Sequence, residues 1–267
     1  MPEHAHDAET IARTLLEHRD RSTPNPVQPG GAPFDAAIAY AAQAAMERIL
    51  VEERGYRPIG YKIAATNAAS RHHLKIAGPF YGRLYDKLST PSPAALAFTP
   101  NFLRVHEPEI ALEIGRDLRP EDAPFDAVAI MRATHAVLPA IEIIGTWYTP
   151  WTQAGAANLI ADNAAHGHWI FGAATTAWQD LDLLEARISL SINGGLVAAG
   201  QVRNVDDGAF GAAAWLANAL AAAGRTLKAG EFVTTGSVTA PQPVAAGQSV
   251  SADFGPLGNI VLTLDGH

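Results

Sequence analysis

Glu107, Glu109 and Glu142 are the side chains of this protein best suited, by kind and by placement, to take part in a reaction. Glu142 interrupts an apolar run, Leu138-Pro139-Ala140-Ile141-Glu142-Ile143-Ile144-Gly145. The run is short, rich in β-branched residues and closed by glycine, which predicts a buried strand. An ionised carboxylate in such a place is costly unless a cation or hydrogen-bond donors meet it. Upstream lies His106-Glu107-Pro108-Glu109-Ile110-Ala111-Leu112-Glu113-Ile114. If this is also a strand, period-two alternation puts Glu107 and Glu109 on one face. Three carboxylates from two strands, with no excess of basic residues nearby in sequence, form an oxygen set suited to Mg²⁺ or Mn²⁺. Competing readings stand beside this one. Glu142 could be a structural carboxylate satisfied by a buried arginine or by backbone amides, and alternating glutamates usually mark a solvated strand face. Pro108 fits an edge or bulge, a position that re-aims side chains. Glu113 shares the parity of Glu109 and reads as a flanking residue rather than a fourth ligand.

The elements that must position these groups are legible in outline. Helices are expected over Ala8–His18, Phe34–Glu53, Asn67–Ile76, Asp126–Ala136 and Phe210–Ala223, with a proline- and glycine-rich loop over Ser22–Gly31. Short strands are expected at Gly60–Ala64, Leu96–Phe98, Glu107–Glu113, Ala140–Ile144, Gly167–Phe171, Ile188–Ile192, Phe232–Thr235, Ser249–Phe254 and Ile260–Leu264. Asp207-Gly208 and Asn193-Gly194-Gly195 are turn signals. This predicts an α+β chain: an N-terminal helical cap over 1–79, then a β-rich catalytic domain over 80–267.

Composition narrows the function classes. The chain has 267 residues, 48% hydrophobic and 17% charged, in the range of ordinary globular proteins. A formal net charge of −8 argues against a nucleic-acid or anionic-membrane surface. There is no cysteine, which excludes disulfides, thiolate metal sites and cysteine nucleophiles. The first residues lack a signal pattern and no apolar run approaches membrane-spanning length, so a cytoplasmic protein is expected. The ten histidines do not show zinc-site spacing; His106 and His166 are retained as pocket candidates. No Gly-x-Gly-x-x-Gly or phosphate-loop pattern occurs.

Several segments, in series, resemble the fumarylacetoacetate hydrolase superfamily, in its branch of 2-hydroxypenta-2,4-dienoate hydratases and 2-oxo-3-hexenedioate decarboxylases. They are Gly60-Tyr61-Lys62-Ile63, Glu107-Pro108-Glu109-Ile110-Ala111-Leu112, Leu138-Pro139-Ala140-Ile141-Glu142-Ile143, Ala161-Asp162-Asn163-Ala164, Trp215-Leu216-Ala217, Thr235-Gly236 and Gly255-Pro256-Leu257-Gly258. The resemblance implies a mixed β-roll and a divalent metal held by Glu107, Glu109 and Glu142. It also implies Lys62 near the substrate, a pocket loop at Asp162-Asn163, and a homo-oligomer. Ala165, followed by His166, stands where some hydratases carry serine, and an aspartate expected after Tyr81-Gly82 is at best shifted, to Asp86.

From the likeness, Lys62, Asp162 and His166 are candidate catalytic groups, and Asn163, Thr235 and Gly236 candidate substrate contacts. Each has a plainer reading. Lys62 could lead its charge out to water, Asp162-Asn163 could be a turn, and Gly236 a backbone bend. The implied chemistry is hydration of a 2-hydroxydienoate to a 4-hydroxy-2-oxo acid, helped by a metal that stabilises charge on the C2 oxygen. The alternatives are decarboxylation, C–C hydrolysis of an acylpyruvate, and a non-catalytic 2-oxo-acid-binding subunit. Trp147, Tyr148 and Trp151 are expected to pack or to form a lid.

Overall fold

The computed structural model describes residues 7–28 and 32–266; Pro29, Gly30 and Gly31 of the expected loop lie outside them. Among the described residues there are six α-helices: α1 (Ala8–Arg21), α2 (Ala36–Glu52), α3 (Ala68–Leu74), α4 (Ala127–Ala133), α5 (Gly155–Ala161) and α6 (Gly208–Ala222). Asp7 caps α1 by accepting from the Thr10 amide, and Asp35 caps α2 through Ile38. On α2 the buried Ala39, Ala42, Gln43, Met46, Ile49 and Leu50 make one helical face. The apolar residues of that face, with Leu15 and Leu16 of α1 and Leu159 and Ile160 of α5, form a second core against Phe80, Tyr85 and Ile144 of the large sheet. Gln43 ties it to the rest: its amide donates to the carbonyls of Tyr81 and Ile160, both at 2.9 Å.

Two mixed sheets make up the body. In the larger, strands run in the order Phe80–Tyr85, Pro58–Ala64, Phe232–Ser237, Leu103–Ile114, Thr134–Gly145, His166–Phe171, Ser89–Pro91, with Gln242–Pro243 also on Leu103–Ile114. The smaller has the order Gly195–Gln201, Arg187–Ile192, Ser249–Asp253, Asn259–Leu264, Ala94–Leu96. Ile110, Leu112, Ile141 and Ile143 of the large sheet share a core with Leu190, Val250, Ile260 and Leu262 of the small one. Leu216 and Leu220 of α6 pack into the same core. The expected mixed α+β roll is observed.

The two glutamate strands are longer than expected, Leu103–Ile114 and Thr134–Gly145, and they pair antiparallel at the centre of the large sheet. Several elements differ from the sequence reading, among them the strand Gly195–Gln201, which was expected only as a turn at its start. Phe80–Tyr85 is a strand, buried at every residue, so it shows no alternation. Gly155–Ala161 is a helix between two segments that read as loop. Helix α4 stops at Ala133 instead of continuing to Ala136, because Thr134 onward pairs with the glutamate strand. The expected boundary at residue 79 does not follow the sheet: Pro58–Ala64, which carries Lys62, lies inside it, between Phe80–Tyr85 and Phe232–Ser237. Helices α1 and α2 pack on each other, and with α5 they share a core with Phe80 and Ile144 of the large sheet.

Candidate metal centre and substrate cleft

Strand register builds the site. Glu107 is directly opposite Glu142, and Glu109 lies two residues along on the same face, opposite Ala140. Like charges across a ladder repel unless something joins them. The three carboxylates offer oxygens that all lie within 4.8 Å of one another. Glu109 and Glu142 are fully buried, whereas Glu107 is partly open and faces a cleft of about 910 Å³.

Lys62 arrives from the Pro58–Ala64 strand, which the Phe232–Ser237 strand separates from Leu103–Ile114. Its Nζ lies 3.1 Å from Glu142 Oε1 and donates to the Ala164 carbonyl at 2.9 Å. His166 Nδ1 meets the same Glu142 oxygen at 2.9 Å. On the far side, Glu109 Oε2 accepts from Thr234 Oγ1 and from the Gly236 amide. One oxygen of each buried glutamate is thus fully engaged. Among the described residues, Glu109 Oε1 and Glu142 Oε2 have no hydrogen-bond partner. Two buried, unpartnered carboxylate oxygens beside a third carboxylate fit a divalent cation.

Burial, with the nearby Glu142 charge adding to it, pushes Glu107 up to about 7. Burial and the two other carboxylates push Glu109 well above the ordinary range. Burial works the same way on Glu142, but the Lys62 ammonium and the His166 hydrogen bond outweigh it and hold its carboxyl low. Without a cation, then, the cluster keeps one carboxylate charged against Lys62 and favours protons on the other two. His166 is lowered by burial, with its contact to Glu142 acting in the opposite sense.

The Asp162–His166 loop forms the facing wall. Asn163, Ala164 and Ala165 all take left-handed backbone angles, with φ of 53°, 54° and 56°. For residues other than glycine this costs about 1–2 kcal/mol each, so other contacts must impose it. Asn163 brackets Arg83: its Oδ1 accepts from the Arg83 amide at 2.7 Å and its Nδ2 donates to the Arg83 carbonyl at 2.9 Å. Gly82 leaves the room required, since a Cβ there would run into the Asn163 carbonyl. Asp162 is clamped by Arg19 of α1, whose Nη2 and Nε donate to Oδ1 at 2.8 and 3.1 Å. Thr146 Oγ1 donates to the other Asp162 oxygen at 2.7 Å.

The residues singled out from sequence therefore divide. Glu107, Glu109, Glu142, Lys62 and His166 converge, and Gly236 lines the cleft. Asp162 and Asn163 are not among the residues that line the cleft, and their polar atoms are taken up by Arg19, Thr146 and Arg83. Thr235 is likewise turned to the Ile110 carbonyl, at 2.8 Å, while Thr234 beside it reaches Glu109. Parity could have signalled this, because adjacent strand residues face opposite ways and Thr234 is in register with Lys62. His106 is buried against Gln248 at 3.0 Å, and Asp86 accepts from the Arg57 and Lys87 amides, away from the cleft. Trp151 lines the cleft, whereas Trp147 packs on Phe102 and Tyr148 donates to Asn158. Arg19 carried no sequence signal, being one of three arginines, with Arg13 and Arg21, on an amphipathic helix.

No family model matches the chain. The 2-keto-4-pentenoate hydratase of Paraburkholderia phymatum is 30% identical, over 94% of this chain and 95% of that protein. The chain belongs to the 2-keto-4-pentenoate hydratase and 4-oxalocrotonate decarboxylase family. A decarboxylase of the family, from Pseudomonas sp. strain CF600, is 30% identical over 82% of this chain and 81% of its own length. The fold is that of the 4-oxalocrotonate decarboxylase from Pseudomonas putida G7, a structure complexed with magnesium and adipate; its TM-score is 0.87, with 24% identity over 96% of this chain and 97% of the other. Fumarylpyruvate hydrolase from Pseudomonas aeruginosa, in complex with Mn²⁺ and pyruvate, shares the fold at a TM-score of 0.60, with 14% identity over 78% of this chain and 90% of that one. No helix among the described residues is long and apolar enough to cross a membrane.

Proposed function

We propose that the protein is a divalent-metal-dependent hydratase that adds water to a 2-hydroxydienoate to give a 4-hydroxy-2-oxo acid. The observation that carries this is the meeting of three carboxylates, two with unpartnered oxygens, and one buried lysine at the floor of an open cleft. Glu107, Glu109 and Glu142 would hold Mg²⁺ or Mn²⁺. The ion would supply Lewis-acid stabilisation of the charge that develops on the C2 oxygen of a 2-oxo acid.

The chain's own groups would do the rest. Lys62 has three donors and uses two, on Glu142 and Ala164, which leaves one for the cleft that it lines. That N–H is suited to hold the substrate carboxylate and to move the proton between the C2 oxygen and C5 as the dienol becomes the conjugated 2-oxo-enoate. Water then adds at C4 and a proton is delivered to C3. His166 fixes the orientation of Glu142. Asp162 and Asn163 hold the loop that presents the Ala164 carbonyl to Lys62. A cytoplasmic homo-oligomer belongs to the same proposal.

The test is an ultraviolet assay with 2-hydroxypenta-2,4-dienoate, with Mg²⁺, Mn²⁺ or EDTA, following loss of the dienol and formation of 4-hydroxy-2-oxopentanoate. Metal-dependent formation of that product is expected; metal-bound protein that leaves the dienol unchanged would overturn the reading. Lys62→Met should retain the metal and lose about 10²–10⁴ in kcat. An unaltered rate would remove lysine from the mechanism. The decarboxylase relatives favour a second reading, which CO₂ release from 2-oxo-3-hexenedioate would identify.

A further inference from the structure

Once the acid end of a substrate is placed at Lys62 and Glu107, the remainder of the cleft must receive its tail. This step rests on the reading of the cleft as a 2-oxo-acid site. Much of the remaining lining is apolar, with Leu74, Phe80, Val105, Ile144, Trp151 and Leu159 among it. At about 910 Å³ the cleft is in the upper range of pockets that hold drug-sized ligands, far larger than a five-carbon acid requires.

Charge completes the argument. Among the described residues, the formally charged side chains lining the cleft are Lys62, Glu107 and Asp206, with His73 the remaining titratable one. Lys62 is held at the glutamate cluster, and His73 packs edge-on near Trp151. The cation paired with Asp206 is Arg71, and it is already engaged: Nη2 is 2.7 Å from Asp206 Oδ2 and Nη1 donates to the Ala65 carbonyl at 3.1 Å. Asp206 is itself anchored, its amide donating to the Thr66 carbonyl at 2.8 Å. A second carboxylate on the substrate would meet the Asp206 carboxylate and find no released cation.

We propose that the cleft takes monocarboxylic acids with an apolar tail longer than the five-carbon chain, alkyl or aryl, and that Asp206 disfavours dicarboxylic acids by holding Arg71 and presenting its own charge. Each tail methylene buried is worth roughly a fourfold gain in affinity. Because the Asp206 side chain is 51% exposed, water and salt screen its repulsion, so the discrimination is moderate and shrinks at high ionic strength.

Calorimetric binding to the Mg²⁺-loaded protein tests this, with three unreactive probes: 2-oxopentanoate, 5-phenyl-2-oxopentanoate and 2-oxoadipate. The aryl acid should bind at least tenfold more tightly than 2-oxopentanoate, and 2-oxoadipate should bind most weakly of the three. Asp206→Asn should free Arg71 and shift the Kd ratio of 2-oxoadipate to 2-oxopentanoate at least tenfold toward the diacid. Binding of 2-oxoadipate as tight as that of the aryl acid, or a ratio unmoved in D206N, overturns the proposal. The hydratase reading fails separately, by absence of dienoate turnover, so the order of the three dissociation constants tests the tail preference on its own.

Discussion

The strand wall of the site and the loop wall opposite it are held in place by different forces. On the strand wall, Glu107, Glu109, Glu142 and Lys62 project from ordinary extended backbone, and continuous ladders determine where each points. Its tension is electrostatic: carboxylates packed together with two oxygens unpartnered. On the loop wall the tension is conformational, with three successive non-glycine residues in the left-handed region. It is held from distant parts of the chain, by the Arg19 side chain of the first helix and by the Arg83 backbone of an edge strand of the large sheet, which the Asn163 side-chain amide brackets. The contrast shows how one site can use both devices. Regular pairing brings charges together, where small displacements matter most, and a strained loop delivers backbone groups that regular pairing would consume in its own ladder.

Substitutions on the two walls should therefore fail differently. Glu142→Gln should have the largest effect, weakening metal affinity more than about a hundredfold, beyond what loss of an outer contact causes. It should also leave the buried Lys62 without its counter-ion, a loss of about 3–5 kcal/mol in stability. Calorimetric titration with Mn²⁺ and thermal melting read the two effects. Retained metal affinity would remove Glu142 from the ligand set.

Arg19→Met should come next. It strands the buried Asp162 carboxylate and should lower kcat about 10–100-fold while leaving metal affinity close to wild type, because no ligand moves. Arg19→Lys should recover part of the loss, limited by the missing two-pronged grip. A parallel fall in metal affinity would show that the two walls are not separable.

Proton linkage gives a further distinction. With Glu107 raised to about 7 from an ordinary 4.5, the folded metal-free protein binds more protons than the unfolded chain between those values. Its stability should therefore fall as pH rises from about 4.5 to about 7, by up to about 1.4 kcal/mol per pH unit for one proton. Glu109, shifted the same way, adds to this trend, and Glu142, held low by Lys62, opposes it only at more acid pH. Metal must displace these protons, so Mg²⁺ affinity should weaken at least about tenfold per unit below about 7, the slope for the Glu107 proton alone, with the Glu109 proton adding to it. Melting curves with EDTA and with Mg²⁺ across this range check both signs. A metal-free protein that gains stability as the pH rises through this window would contradict the burial assigned to the cluster.

The smallest effect belongs to Ala165→Gly. Relief of a left-handed alanine should exceed the entropy that glycine adds to the unfolded chain, giving up to about 1 kcal/mol of extra stability. Thermal melting reads it. A loss of stability there would mean that the loop is less strained than its backbone angles indicate.

Local pattern alone accounts for most of the strand wall. Alternation put Glu107 and Glu109 on one face, the apolar run buried Glu142, and both conclusions depend only on residues within a few positions of each other. Lys62 was legible through resemblance, and the mixed helix-and-strand body through its local patterns. What stayed open was every contact between segments far apart in the chain. The Glu107–Glu142 register, Arg19 on Asp162, Asn163 on Arg83, and Arg71 held by Asp206 are of this kind. Phe80–Tyr85 escaped for the same reason, since a strand covered on both faces has no periodicity to betray it. Local preference says which side chains share a face; the closed fold alone sets which distant charge is waiting opposite, because that choice is made by packing and desolvation over the whole molecule.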